Sequence, residues 1–256
     1  MRIAVVQMEL EREKGDNLAK ALSYIEQSAG CDLIVFPEML MGKRREGVEL
    51  TDLAENIETG EFAKALKRAA AESDIDVCAC LWEESKADKV YNTAVVYGAD
   101  GNIKAKYRKL HLFDALSVKE SDFMISGDEF PPVFECAGVK CGLSICYDLR
   151  FPEIYRSMAG AEVMLVPAAW YSGDMKVEHL RMLLGARAME NTSYALCANL
   201  CGDEFAGNSA VYTPFGELKA EADLSEKILK VEIDIDYLNS VREKLPCLEN
   251  LRRDIF

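Results

Sequence analysis

The chain has 256 residues, half of them hydrophobic and 29% charged, which permits a large core under a charged surface and excludes a disordered or fibrous polymer. Its formal net charge of -14 disfavours nucleic acid phosphates and anionic membranes as partners and is read as solubility. No apolar run reaches the roughly 18 residues that a membrane-spanning helix needs, so no membrane partner is expected.

Met1-Arg2-Ile3-Ala4-Val5-Val6-Gln7 turns polar too soon for a secretory signal and reads as a first strand, Ile3–Met8. Further strand-length apolar runs follow at Leu33–Phe36, Ile75–Leu81, Thr93–Tyr97, Val139–Cys146, Val163–Val166, Tyr194–Ala198, Ser209–Tyr212 and Ile228–Ile235. Several are almost continuously apolar rather than alternating, the pattern of strands covered on both faces. Between them lie helical patterns. Leu18, Ala21, Leu22 and Ile25 recur at helical spacing with Asp16 placed to cap them. Phe62, Leu66, Ala69 and Ala70 line a second helix opened by Gly60, and Val177, Leu180, Leu184 and Ala188 a third between about Asp174 and Asn191. Asp100-Gly101 between two apolar runs signals a hairpin. Strand–helix–strand units mixed with hairpins predict mixed sheets in an α/β fold. With no repeat and no Pro/Gly-rich linker, residues 1–256 are read as a single domain, and the charged stretch Tyr237–Phe256 as an arm at a subunit interface.

Nine cysteines, an odd number in a chain this long, argue against a disulfide framework and for a reducing cytoplasm. Two histidines and no Cys-x-x-Cys pair leave no zinc site, so no metal is expected.

Three positions could carry chemistry. Cys146 sits where the run Val139–Ile145 meets the polar turn Tyr147-Asp148-Leu149-Arg150, and open α/β sheets place their ligand sites at such strand ends. The same position suits a buried structural cysteine. Glu38 follows the strand Leu33–Phe36 and Pro37. An acid at the rim of an apolar strand suits a general base, although a surface loop glutamate would look alike. Lys109 shares one face of the extended segment Lys106–Phe113 with His111 and could hold charge developing on an oxygen, or belong to a solvated basic strand. His111 or His179 could instead pair with Cys146 in a cysteine–histidine dyad, but nothing supplies the third, orienting group. Glu120 is one of several acids in its loop and gains no weight from its surroundings.

Together, Phe36-Pro37-Glu38, Tyr107-Arg108-Lys109-Leu110-His111-Leu112-Phe113 and Cys146-Tyr147-Asp148-Leu149-Arg150-Phe151-Pro152-Glu153 resemble the three signature blocks of the nitrilase superfamily of carbon–nitrogen hydrolases, in order and in spacing. The flanks fit as well: Met1–Met8, Ala186–Thr192, Pro214-Phe215-Gly216 and the closing Val241-Arg242, Pro246 and Arg252-Arg253-Asp254. The chain looks closest to the amidase-like branch that holds ω-amidase and deaminated glutathione amidase. Glu120-Ser121, before Gly127-Asp128, resembles that branch's second glutamate. Two features depart from the pattern. The loop leading to Glu120 is shorter, and the usual tryptophan after the late-helix histidine is Leu180 following His179, so the resemblance leaves the substrate open.

The resemblance implies a four-layer α-β-β-α sandwich, a homodimer or larger homo-oligomer packed through the late helix and C-terminal region, and no cofactor. It implies that Cys146 attacks a small amide, with Lys109 lowering the thiol pKa or Glu38 removing its proton. Lys109 and the Tyr147 backbone N–H would hold the oxyanion, and Glu120 would orient Lys109 or the substrate. Acid and ammonia would leave through a thioester. Trp170 reads as a pocket wall or as core, and Arg150, Lys176 and His179 are candidate cations for a second carboxylate. A nitrile-hydrolysing enzyme and a non-catalytic interaction protein of the same fold remain as alternatives.

Overall fold

The structure is a computed structural model in which residues 1–252, 254 and 255 are described. Arg253 and Phe256, parts of the expected arm 237–256, lie outside the described residues. The first half of the chain runs β1 (Arg2–Gln7), α1 (Lys14–Gln27), β2 (Leu33–Val35), α2 (Leu50–Leu53), α3 (Glu61–Ser73), β3 (Asp76–Glu83), β4 (Tyr91–Tyr97) and β5 (Ile103–Arg108). The second runs β6 (Asp114–Ala115), β7 (Val118–Lys119), β8 (Val133–Cys136), β9 (Val139–Leu143), α4 (Pro152–Ser157), β10 (Val163–Ala168), α5 (Lys176–Asn191), β11 (Tyr194–Asn199), β12 (Ala210–Tyr212), β13 (Leu218–Glu221), β14 (Lys227–Glu232) and α6 (Ile235–Lys244).

Two six-stranded sheets form, in the orders β14-β1-β2-β3-β4-β5 and β13-β12-β11-β10-β9-β8. Both are mixed. Parallel pairs β1–β2–β3 and β9–β10–β11 sit at the centres, and antiparallel pairs flank them. The period-2 alternation of each strand sorts its side chains into layers. From the first sheet, Val6, Ile34, Val77 and Ala79 face Ala21 and Ile25 of α1 and Phe62, Leu66 and Ala70 of α3. The alternate residues Ile3, Val5, Leu33, Val35, Cys78 and Cys80 meet Cys141, Leu143, Val163, Leu165 and Leu196 of the second sheet. On the far side Met164, Val166, Ala195 and Cys197 pack on α4 and on Leu180, Leu184 and Ala188 of α5. The result is the expected α-β-β-α sandwich, and the continuous burial of β3, β10 and β11 follows from cover on both faces.

Three local expectations change. Helix α1 starts at Lys14, so Asp16 lies in its first turn instead of capping it, where its charge still complements the helix dipole. Strands β8 and β13 had no strong apolar signal because each is a partly exposed edge strand. The β8–β9 hairpin turns at Ala137-Gly138, both with positive φ, where the sequence lacks the usual Asn-Gly or Asp-Gly pair. Helix α6 packs on its own chain through Leu238 and Val241, and Arg242 donates from Nη2 to the Ala161 carbonyl at 2.8 Å. No helix among the described residues is long and apolar enough to cross a membrane.

Candidate active site

Strands β2, β5, β9 and β10 deliver their C-terminal ends to one region, because β5 runs parallel to β2 by way of the antiparallel β4. Pro37 cannot donate a ladder hydrogen bond, so β2 stops and Glu38 turns in, 1% exposed. Its Oε1 accepts from Asn92 Nδ2 at 2.7 Å and from Lys109 Nζ at 2.9 Å. Its Oε2 accepts from the Ala169 N–H at 2.9 Å, and its own N–H donates to the Ala168 carbonyl at 3.3 Å. A first-sheet acid is thus pinned to the end of a second-sheet strand.

Lys109 continues β5. Its N–H donates to the Asn92 carbonyl at 2.9 Å and its carbonyl accepts from Gly127 at 2.8 Å. A Cβ at Gly127 would stand 2.3 Å from the Arg108 carbonyl oxygen, so only glycine lets that loop close on the strand. Lys109 Nζ also donates to Glu120 at 2.9 Å and 3.1 Å. Glu120 lies in a single 3-10 turn after the β6–β7 hairpin, where the Phe113 N–H donates to its Oε2 at 2.7 Å. Burial alone would lower the Lys109 ammonium, but Glu38 and Glu120 outweigh it and hold its pKa well above the ordinary lysine value. Burial raises the Glu120 carboxyl, against the pull of Lys109.

Cys146 opens the next 3-10 turn with φ +45, a left-handed conformation that costs a non-glycine residue energy and recurs at functional elbows. Asp148, fully buried, holds the elbow. It accepts from the Ile145 N–H at 3.0 Å, from the Tyr107 hydroxyl at 2.8 Å and from the His111 N–H at 3.2 Å, and meets His111 Nδ1 at 2.8 Å. Cys146 is partly exposed, while seven of the other eight cysteines are buried. Burial and then Glu38 push its thiol pKa well above the usual range, and Lys109 and the Ala169 N–H only partly oppose them. This environment favours the neutral thiol over the thiolate. Of the two activation routes implied by the sequence, proton removal by a base fits this environment better than a standing thiolate.

A narrow cleft opens over Cys146. Phe113, Tyr147, Trp170 and Tyr171 wall it, and Arg150 and Lys176 bring positive charge. The Tyr147 N–H has no hydrogen-bond acceptor among the described residues and is free to serve an incoming oxygen. Trp170 is wall and core at once, since its ring lines the cleft while its Nε1 donates to the Lys176 carbonyl at 2.8 Å. Lys176 Nζ lies 4.9 Å from the Trp170 ring centre and 5.5 Å from that of Phe113. Burial, then Arg150, lowers its pKa. Among the described residues no carboxylate pairs with Lys176 or Arg150.

The structure brings Glu38, Lys109, Glu120 and Cys146 together. It places His179 outside the cleft lining, with Nδ1 3.4 Å from Arg150 Nη2. Neither histidine is held for a dyad with Cys146, because His111 is bound to Asp148 and stacked on Phe151 with ring centres 3.6 Å apart. Sequence reasoning missed Asn92, Asp148 and the Ala169 N–H. A polar Asn92 at the mouth of an apolar strand was the available signal.

An elbow thiol, two carboxylates and an ammonium gathered at one end of an α-β-β-α sandwich define a class of hydrolase. The chain belongs to the carbon–nitrogen hydrolase family, whose model matches residues 2–243. It is 34% identical over 242 residues to a deaminated glutathione amidase of Escherichia coli O157:H7, covering 94% of this chain and 92% of that one. It is 32% identical over 269 residues to an omega-amidase of Homo sapiens, covering 100% of this chain and 96% of that one. Among solved structures it superposes on Saccharomyces cerevisiae Nit3, of the nitrilase superfamily, with TM-score 0.86 and 28% identity over 99% of this chain and 96% of that one. A Nesterenkonia amidase whose active site cysteine carries added acrylamide superposes with TM-score 0.79 and 27% identity, covering 96% and 98%.

Proposed function

We propose that the protein is an amidase that cleaves a small linear amide to a carboxylic acid and ammonia through a thioester on Cys146. The convergence of the Glu38, Lys109 and Glu120 side chains behind the Cys146 elbow carries this reading. Glu38 takes the thiol proton as the sulfur adds to the amide carbon. Lys109 Nζ and the Tyr147 N–H stabilise the oxyanion, each donor of this kind contributing roughly 3–4 kcal/mol when preorganised. Glu38 returns the proton to the nitrogen, the carbon–nitrogen bond breaks and ammonia departs. Glu38 then draws a proton from water, whose oxygen attacks the thioester, and the acid leaves as the thiol is restored. Glu120 keeps Lys109 aimed and charged. Electrostatics support this division of labour, because a neutral thiol needs a base and Glu38 is the acid that reaches the site with its second oxygen held by a backbone N–H.

Arg150 and Lys176, cations without carboxylate partners among the described residues of an acidic chain, favour an acyl group that carries its own carboxylate. His179 supports this subsite only through Arg150. The nine unpaired thiols fit a cytoplasmic setting, which cell fractionation tests. Exposed Met182 and Met189 on α5, with exposed Phe215, support a homodimer through α5.

Ammonia release from a panel of ω-amides, deaminated glutathione and carbamoyl compounds, each beside its matched nitrile where one exists, tests the assignment. Cys146→Ala and Glu38→Gln are expected to lose at least about a thousandfold in kcat with circular dichroism unchanged. Turnover kept by either variant overturns the mechanism, and faster release from the nitriles overturns the amidase reading.

A further inference from the structure

Asn92 is the second residue of β4 and is 1% exposed, directly beside the acid assigned above to move the proton. Its backbone carbonyl holds the Lys109 N–H at 2.9 Å and its side-chain Nδ2 donates to Glu38 Oε1 at 2.7 Å. One residue therefore fixes both the lysine's strand end and the carboxylate. The other end of the same carboxamide is the anomaly. Asn92 Oδ1 is fully buried and has no hydrogen-bond partner, one of three such side-chain atoms among the described residues. An unpaired buried acceptor is costly, and native structures rarely leave one without a reason.

The reason follows from what Glu38 must do. As a carboxylate it needs donors, and as an acid it presents an O–H that needs an acceptor. A carboxamide offers both at its two ends, and a half-turn about its last side-chain bond exchanges them at little torsional cost. A donor fixed on Oδ1 would lock the amide in the orientation that serves the carboxylate alone. With Oδ1 free, either orientation leaves one amide end unpaired, so the two are close in energy and Glu38 decides between them. We propose that Asn92 is a positioning residue that reads the protonation state of Glu38, donating from Nδ2 to the carboxylate and turning Oδ1 to accept from the acid. The proton taken from Cys146 is then held on Oε1 until the leaving nitrogen receives it. Lys109 and the Ala169 N–H, donors only, cannot accept from that acid.

This inference rests on the role of Glu38 in the proposed mechanism, and the tests separate the two. Asn92→Ala removes both ends of the amide. Asn92→Asp keeps the shape but supplies a donor only when it is itself protonated. The titratable groups that bear on Glu38 are Lys109, Glu120, Cys146, Cys80, Cys197 and Tyr171, and both variants leave all of them in place. With whichever amide of the panel the wild-type protein turns over, kcat is expected to fall roughly tenfold to a hundredfold in Asn92→Ala while KM stays within about twofold. The acidic limb of the kcat/KM profile moves to higher pH in both variants, because in Asn92→Ala the charge-assisted bond lost by the carboxylate is stronger than the neutral one lost by the acid, and in Asn92→Asp a second acid stands beside the first. Asn92→Gln, which keeps both amide ends, restores part of the rate. A purely structural role would leave the acidic limb in place. If either folded variant keeps the wild-type kcat and acidic limb, the proposal is overturned, even with Glu38→Gln inactive. If Asn92→Ala does not fold, the Asn92→Asp profile decides alone.

Discussion

Lys176 places an ammonium against the faces of Trp170 and Phe113, on the wall of a cleft whose floor is a thiol. Nearly buried, and lowered in pKa by that burial and by Arg150, it has no carboxylate partner among the described residues. A substrate carboxylate would neutralise it. Replacing it in Lys176→Met keeps the length and the ring contacts and removes the charge. KM for an amide bearing a carboxylate should rise about tenfold or more while kcat changes little, since a charge-assisted hydrogen bond contributes roughly 1.5–3 kcal/mol. A neutral amide should be indifferent to the change. Equal effects on both amides would remove Lys176 from substrate recognition. At this scale Glu38 and Cys146 were legible in the sequence because each follows an apolar strand within a recognisable block, and Lys109 through its block alone, since β5 alternates basic and apolar residues. Glu120 was legible only through its resemblance to a family block, since its burial comes from the hairpin that folds it under Phe113. Asn92 was hidden, and Lys176 was only one unplaced candidate cation among three, because the burial of each depends on neighbours far along the chain.

Helix α5 shows two faces of different kinds. Leu180, Leu184 and Ala188 sink into the second sheet, as the helical spacing predicts. Met182 and Met189, two turns apart, stand exposed on the other side with Phe215 and Leu218 nearby in the sequence of β12 and β13. Apolar side chains repeated on an outward helical face serve contacts rather than solubility. If the proposed homodimer forms through this face, the double substitution Met182→Lys with Met189→Lys should leave circular dichroism unchanged and shift the particle from dimer to monomer mass in analytical ultracentrifugation. A mass unchanged from that of the wild-type protein would overturn a homodimer through α5. The strands of the sheet centres were readable because burial on both faces makes them uniformly apolar. Edge strands β8 and β13 and the two-residue strands β6 and β7 were not, because pairing, not composition, makes them strands.

Across the whole molecule the core holds an unusual number of thiols. Cys78, Cys80 and Cys141 lie between the two sheets and Cys197 between the second sheet and its helices, and burial raises the pKa of each, Cys141 to about 12 from an ordinary value of 9.0. The folded protein therefore keeps these protons at pH values where the unfolded chain has released them. More protons bound in the folded state means that stability falls as pH rises, beginning near the unfolded value of about 9 and continuing towards the folded values. Each fully buried thiol costs up to about 1.4 kcal/mol per pH unit in that window. The urea midpoint should hold steady from pH 7 to about 8.5 and drop steeply between about pH 9 and 11. A flat midpoint through that range would mean that these thiols ionise in the folded state.

The bond from the Ala169 N–H to Glu38 crosses from one sheet to the other, and the bridge between Met8 and Leu200 ties their ends beside it. The proposed proton transfer would thereby depend on the alignment of two sheets that meet through largely apolar contacts. A slip of about an ångström along that seam would disturb few of those contacts, yet it would pull Glu38 away from the sulfur it is proposed to serve. Turnover thus works as a gauge of the seam: heat or denaturant that loosens it would silence the enzyme well before the spectroscopic signature of the strands begins to fade.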